Sequence, residues 1–149
     1  EQAGKLLAVV TQNIDGLHQL AGSKNVYELH GSIHRNHCMH CNRFFDAEYV
    51  KNHSGIPYCP CGGMIKPDVV LYEESLDPDV LAGAVAHISR ADMLIVGGTS
   101  LQVYPAAGLI NYYSGNKLVL INRTVTPYDS YANLVINDSI GKVLSAAVE

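Results

Sequence analysis

All four cysteines of the chain lie in two short runs, Cys38-Met-His-Cys41 and, after seventeen intervening residues, Cys59-Pro-Cys61. Paired thiols at this separation are the signature of a zinc ribbon, in which two tight turns each supply two thiolates to a tetrahedral ion. The second pair is one residue tighter than the usual C-x2-C. His37, His40 and His53 lie close enough in sequence to compete as ligands. Gly62-Gly63 lets the backbone turn sharply after the last cysteine. Four thiolates leave no open coordination position, so zinc held at Cys38, Cys41, Cys59 and Cys61 is expected to be structural. Paired cysteines in a chain without a recognisable signal segment also point to a reducing, cytoplasmic setting, where they hold metal more often than each other.

Three polar clusters could do chemistry of another kind: Thr11–Asp15, Gly97–Ser100 and Asn122–Thr124. Each follows an apolar run, at Leu6–Val10, "MLIVGG" and "KLVLIN". Runs of that kind suit strands of a parallel sheet, and ligands of such sheets bind beyond the strands' carboxyl ends. "VGGTS" offers backbone amides and hydroxyls to a ribose or phosphate, but it lacks the Gly-Lys-Ser/Thr of a P-loop. Asn13 and Asp15 could instead cap a short helix starting near Gly16. His18 and His34 read as ordinary loop residues, and Tyr104, Tyr112 and Tyr113 as packing or surface aromatics.

The elements that must position these groups alternate. After Leu6–Val10 come a loop, a short helix and a brief extended piece at Val26–Leu29. Lys51–Gly55 is the polar middle of the cysteine segment. "DVVLY" at 68–72 reads as extended, and Leu76–Arg90 as a helix started by Asp77-Pro78. "PAAGLINYY" reads as a helix with proline in its first turn. "NLVIND" is a further strand, and Ile140–Ala147 a terminal helix. The pattern predicts an α/β fold: a Rossmann-like parallel sheet over 1–36 and 66–149, with a small zinc-binding subdomain inserted at 37–65. A net charge of −4 and the lack of a basic stripe argue against nucleic acid as a partner. No apolar run is long enough to span a membrane.

"TQNIDGLH", "ELHGS", the paired cysteines, "KPDVVLYEE" and "GTSLQVYPAA", in that order, resemble the sirtuins, NAD-dependent protein-lysine deacylases. The resemblance implies a Rossmann-like domain, a zinc domain, and a cleft for NAD and an acylated lysine. By the same resemblance, His30 is the catalytic histidine, with Asn13 beside it. Gln12, Asn13 and Asp15 face the nicotinamide and its ribose, and Gly98, Thr99 and Ser100 a ribose and phosphate. Asn122, Arg123, Thr124 and Ile140 lie at the adenosine end. Val69, Val70, Leu71 and Tyr72 pair with the acyl-lysine peptide as an added strand. In the implied reaction the acyl oxygen attacks C1′ of the nicotinamide ribose, and a neutral imidazole then deprotonates a ribose hydroxyl. The products are nicotinamide, free lysine and 2′-O-acyl-ADP-ribose.

Two departures stand out. Tyr72-Glu73-Glu74 replaces the common Phe-Gly-Glu, and the family's Gly-Ala-Gly phosphate loop has no counterpart and would lie before Glu1. The chain therefore reads as the C-terminal portion of a sirtuin core, inactive on its own. A sirtuin-like module that binds NAD or ADP-ribose without turnover is the alternative function.

Overall fold

Val9–Thr11 (β1) and Val26–Glu28 (β2) pair in parallel, Val9 opposite Val26 and Thr11 opposite Glu28. The connection between them carries the short helix Leu17–Leu20 (α1), as a parallel pair requires a crossover. The apolar run expected to start this first strand at Leu6 enters the ladder only at Val9, and Leu6 and Leu7 are about half exposed. Its partner sets that limit, because β2 begins at Val26, directly across from Val9. The computed structural model describes residues 1–148. They divide into two units, Glu1–Gly83 and the chain from Ala84 onward.

The rest of the first unit is built on an antiparallel sheet in the order β4-β3-β5. Its centre is Gly31–Cys38 (β3), flanked by Phe44–Asp46 (β4) and Ile65–Val69 (β5). Nothing in the polar sequence GSIHRNHC marks β3 as a strand. Burial of Ser32, Asn36 and Cys38 between two neighbours holds it instead. The extended stretch expected at 68–72 is displaced toward the N-terminus and stops at Val69. Pro67 is accommodated because β5 is an edge strand, where a missing amide donor is tolerated. The sheet reaches beyond 37–65 at both ends, from Gly31 to Val69.

Helix Ala47–Lys51 (α2) starts at Asp46, whose carboxylate accepts the Tyr49 amide at 2.8 Å. Pro78–Arg90 (α3) starts in the same way: Asp77 Oδ1 accepts the amides of Asp79 and Val80 at 2.8 and 3.1 Å. A carboxylate before a first-turn proline satisfies amides that the helix itself leaves unpaired.

In the second unit Leu94–Gly97 (β6), Leu118–Ile121 (β7) and Leu134–Ile136 (β8) form a parallel sheet with β7 central. Leu118, Leu120 and Ile121 of β7 are buried. Leu101, Ala107 and Ile110 complete the core with Leu118 and Leu120, and Leu94, Val96, Tyr113 and Val135 pack around it. The helix expected at "PAAGLINYY" is a 3₁₀ helix over Ala106–Tyr112, in which Ala106, Ala107, Leu109 and Ile110 are buried. Tyr113 is held by its hydroxyl, which donates to the Asp92 carbonyl and accepts the Lys117 amide, both at 3.0 Å. Ile140–Ala147 (α4) follows. Parallel α/β pairing is thus present in both units.

Candidate functional site

In the first unit β1 and β2 run in parallel and end at one edge, so the residues after Thr11 and after Glu28 emerge together. His30 Nδ1 lies 3.0 Å from the Gln12 carbonyl oxygen. A carbonyl only accepts, so Nδ1 carries the proton, and Nε2 of the neutral ring is left with a lone pair. The main chain of His30 is held as well, its carbonyl accepting the Val70 amide at 3.0 Å. Gly31 follows at φ +75°, and a Cβ there would fall 1.8 Å from the Asp68 carbonyl oxygen. Only glycine fits after His30, which gives "HGS" a steric reason. Asp15 stands just before Gly16, the N-cap of α1, and its Oδ1 accepts the Leu17 amide at 3.0 Å. The Asn13 amide donates to Thr11 Oγ1 at 3.0 Å.

The segment from Val69 to Tyr72 leaves the sheet as it passes this edge. Val69 is opposite Gly31 in the ladder, while Leu71 and Tyr72 are exposed and lie beyond β5. Glu73 adopts φ +69°, a conformation that favours glycine. Glu74 closes the turn: its carboxylate accepts the Leu71 amide at 2.9 Å and Lys66 Nζ at 3.4 Å. The Leu71 amide, aided by Lys66, holds the Glu74 carboxyl below its usual range.

The four cysteine sulfurs lie within 4.8 Å of one another. Cys38 Sγ is 3.5 Å from Cys61 Sγ, and Cys41 Sγ is 3.6 Å from Cys59 Sγ. A tetrahedral zinc with bonds of about 2.3 Å sets its sulfurs about 3.8 Å apart, so the cage fits the ion. A Cβ at Gly63 would fall 2.6 Å from Cys38 Sγ, so a larger residue would intrude on the cage. The Cys41 amide, with that of His40, draws the Cys38 thiol down to about 6. Cys61 shifts the other way, to about 12: the Gly63 amide favours its thiolate, but the neighbouring sulfurs of Cys59, Cys38 and Cys41 outweigh it. Thiolates this close resist ionising together unless a cation sits among them. No histidine joins the cluster among the described residues, and His53 is engaged with the Tyr49 carbonyl at 2.7 Å.

In the second unit the strands again end in step, Gly97 opposite Ile121 and Ile121 opposite Ile136. Gly98–Ser100 and Asn122–Thr124 therefore leave the same carboxyl edge. The Gly98 amide donates to the Ile121 carbonyl at 3.0 Å, and Thr99 Oγ1 accepts the Leu101 amide at 3.2 Å. Asn122 Nδ2 donates to the Thr124 carbonyl at 2.9 Å. Ile140 belongs to this edge too, since a Cβ at Gly97 would fall 2.2 Å from Ile140 Cδ1. Arg123 adds positive charge near Asp138, whose carboxyl is held low first by its hydrogen bond to Lys142.

Comparison with known proteins is decisive. Residues 1–105 match the model of the Sir2 family. The chain belongs to the Sir2 family. It is 67% identical to an NAD-dependent protein deacetylase of Clostridium acetobutylicum over 99% of its own length and 61% of that protein's. It is 56% identical to one from Cutibacterium acnes, over 98% of its length and 60% of the relative's. A solved Sir2 complex with a p53 peptide and NAD+ superimposes with a TM-score of 0.90 at 41% identity, covering 98% of this chain and 63% of the other. A Sir2 complex with the inhibitor EX-527, 2′-O-acetyl-ADP-ribose and a deacetylated p53 peptide gives 0.91 at 42%, covering 98% and 65%. The chain thus spans about three-fifths of the length of the curated relatives it matches.

Two residues of this Sir2-family chain gain importance that spacing did not suggest. His34, read above as a loop residue, lies in β3 with Nε2 2.9 Å from the Asp15 carbonyl oxygen. Arg35 Nη1 lies 2.7 Å from Oε2 of the buried Glu28, and its Nε 3.3 Å from Asp68 Oδ2. Burial alone would lower the Arg35 pKa, and the two carboxylates, Glu28 first, more than offset it. No spacing signal marks either residue: their contacts depend on a register irregularity between Ser32 and Asn36 that only the paired strand imposes.

Proposed function

We propose that the protein carrying this chain is an NAD-dependent protein-lysine deacylase. It releases nicotinamide, the free lysine and 2′-O-acyl-ADP-ribose. The reading is carried by one observation: His30 stands at a sheet edge with its ring held at Nδ1 by the Gln12 carbonyl and its main chain by Val70, which leaves Nε2 as the ring nitrogen open to a substrate.

The co-substrate NAD supplies an activated ribose carbon with nicotinamide as leaving group. His30 acts as general base, taking a proton on Nε2 from a ribose hydroxyl, a task a neutral imidazole can perform. Gln12, Asn13 and Asp15 bind the nicotinamide side. Gly98, Thr99 and Ser100 bind ribose and phosphate, and Asn122, Arg123, Thr124 and Ile140 the adenosine side. Val69 to Tyr72 bind the acyl-lysine peptide, Val69 and Val70 through backbone pairing beside His30. Zinc held by Cys38, Cys41, Cys59 and Cys61 has a structural role, in a small domain centred on 37–65 with the Rossmann-like part on either side. The setting is cytoplasmic, which suits unpaired thiols that form a metal cage; no described helix is long and apolar enough to cross a membrane.

The test is nicotinamide release from NAD by the full-length protein, with and without an acetyl-lysine peptide. Peptide-dependent release with matching loss of the acetyl group is expected. NAD binding without turnover would leave the non-catalytic module as the function.

A further inference from the structure

The central strand of the antiparallel sheet is interrupted opposite β5. Ser32 is paired with Asp68, and Asn36 already with Pro67, so Ile33, His34 and Arg35 bow out of the ladder. Bulges of this kind re-aim side chains and gather near active sites. This one meets the loop after β1 at two points. The Ile33 amide donates to the Ile14 carbonyl at 3.1 Å, and His34 Nε2–H donates to the Asp15 carbonyl at 2.9 Å. The His34 amide is tied back to Ser32 Oγ at 3.2 Å, which holds the bow in shape.

Gly16 makes the contact close. It sits at φ +69°, and a Cβ there would fall 2.8 Å from His34 Cδ2 and 2.9 Å from Nε2. The imidazole therefore lies directly against the Asp15–Gly16 peptide. Asp15 is gripped from two sides, its carbonyl by His34 and its carboxylate by the Leu17 amide. The Gly16 turn that His34 packs against also presents the Leu17 amide to the carboxylate, so the ring that fixes the Asp15–Gly16 peptide fixes the donor that holds the carboxylate.

We propose that His34 is a positioning residue: by clamping the Asp15–Gly16 peptide it sets the aim of the Asp15 carboxylate and so the sensitivity of the enzyme to nicotinamide. This rests on the reading of Asp15 given under Proposed function. A single modest hydrogen bond is at stake, so the effect is several-fold and confined to the nicotinamide side.

The experiment uses the full-length protein and compares His34→Phe, His34→Gln and Asp15→Ala with the parent. Phe keeps a ring against Gly16 but donates nothing. The Gln amide nitrogen lies as many bonds from Cβ as Nε2 of histidine and can donate in its place. The readouts are the nicotinamide inhibition constant, kcat, KM for an acetyl-lysine peptide, and Tm. His34→Phe is expected to raise the inhibition constant about threefold to tenfold, with peptide KM and Tm unchanged, and His34→Gln to restore most of it. If Asp15→Ala shifts inhibition and His34→Phe does not, the positioning role is overturned while the reading of Asp15 stands. A shift in peptide KM and Tm alongside inhibition makes His34 a general structural residue and also overturns it. Silence at Asp15→Ala removes the role of the loop, and absence of turnover in the parent removes the deacylase reading. The inference falls in either case.

Discussion

Arg35 supports a quantitative prediction. Its guanidinium bridges Glu28 on β2 and Asp68 on β5, at 2.7 and 3.3 Å, but the two carboxylates differ in setting. The side chain of Glu28 is 7% exposed and that of Asp68 52%. Removing one partner of a fully buried ion pair costs about 3–5 kcal/mol, because the other charge is left without compensation. Arg35 is itself 43% exposed, so water screens the pair. Arg35→Met is therefore expected to cost about 2 kcal/mol, below the buried-pair range. Glu28→Gln should cost about half as much, since it leaves a half-solvated cation that still has Asp68. The double variant Glu28→Gln/Arg35→Met should recover at least half of the loss seen with Arg35→Met, because no buried charge remains. Urea unfolding of the zinc-loaded full-length protein measures all four species, provided the m-value stays constant. Equal costs for the two single variants, or a double variant as unstable as their sum, would refute the claim that Glu28 is the desolvated member.

The metal cage is expected to hold one zinc per chain, and Cys59→Ser to lose both zinc and thermal stability; metal analysis with a melting curve checks this. On the proposed function, His30→Ala in the full-length protein should lower deacylation by about 10²–10⁴-fold while NAD affinity, measured by calorimetric titration, stays within a few-fold. Glu73 holds a φ of +69°, which costs a non-glycine residue about 1 kcal/mol. Glu73→Gly should thus be neutral or stabilise slightly, read as a small rise in Tm.

The cysteine cage was legible because metal geometry constrains spacing: two short loops must each present two thiolates. The strands at 94–97, 118–121 and 134–136 were legible as continuous apolar runs, although only the central one is largely buried and Ile95 and Leu134 on its flanks are about half exposed. β3 was not, since its sequence GSIHRNHC is extended only by virtue of its two neighbours. The first strand was placed three residues early because hydrophobicity marks what could be buried, while the ladder begins only where a partner strand exists. The motif residues near His30 could be named from their order along the chain. The contacts of His34 and Arg35 could not, because they arise from a bulge whose register depends on β5, thirty residues away.

The close approach at Gly97 reaches beyond this one sequence. Strand β6 ends where the Ile140 side chain enters the space that a Cβ would fill, 2.2 Å from Cδ1. Size at position 97 and size at position 140 are therefore coupled across forty-three residues of sequence. Evolutionary drift at either site is felt at the other: alanine at the first is accommodated when the flexible end of the second side chain turns aside or is shortened, so the two positions are expected to vary together.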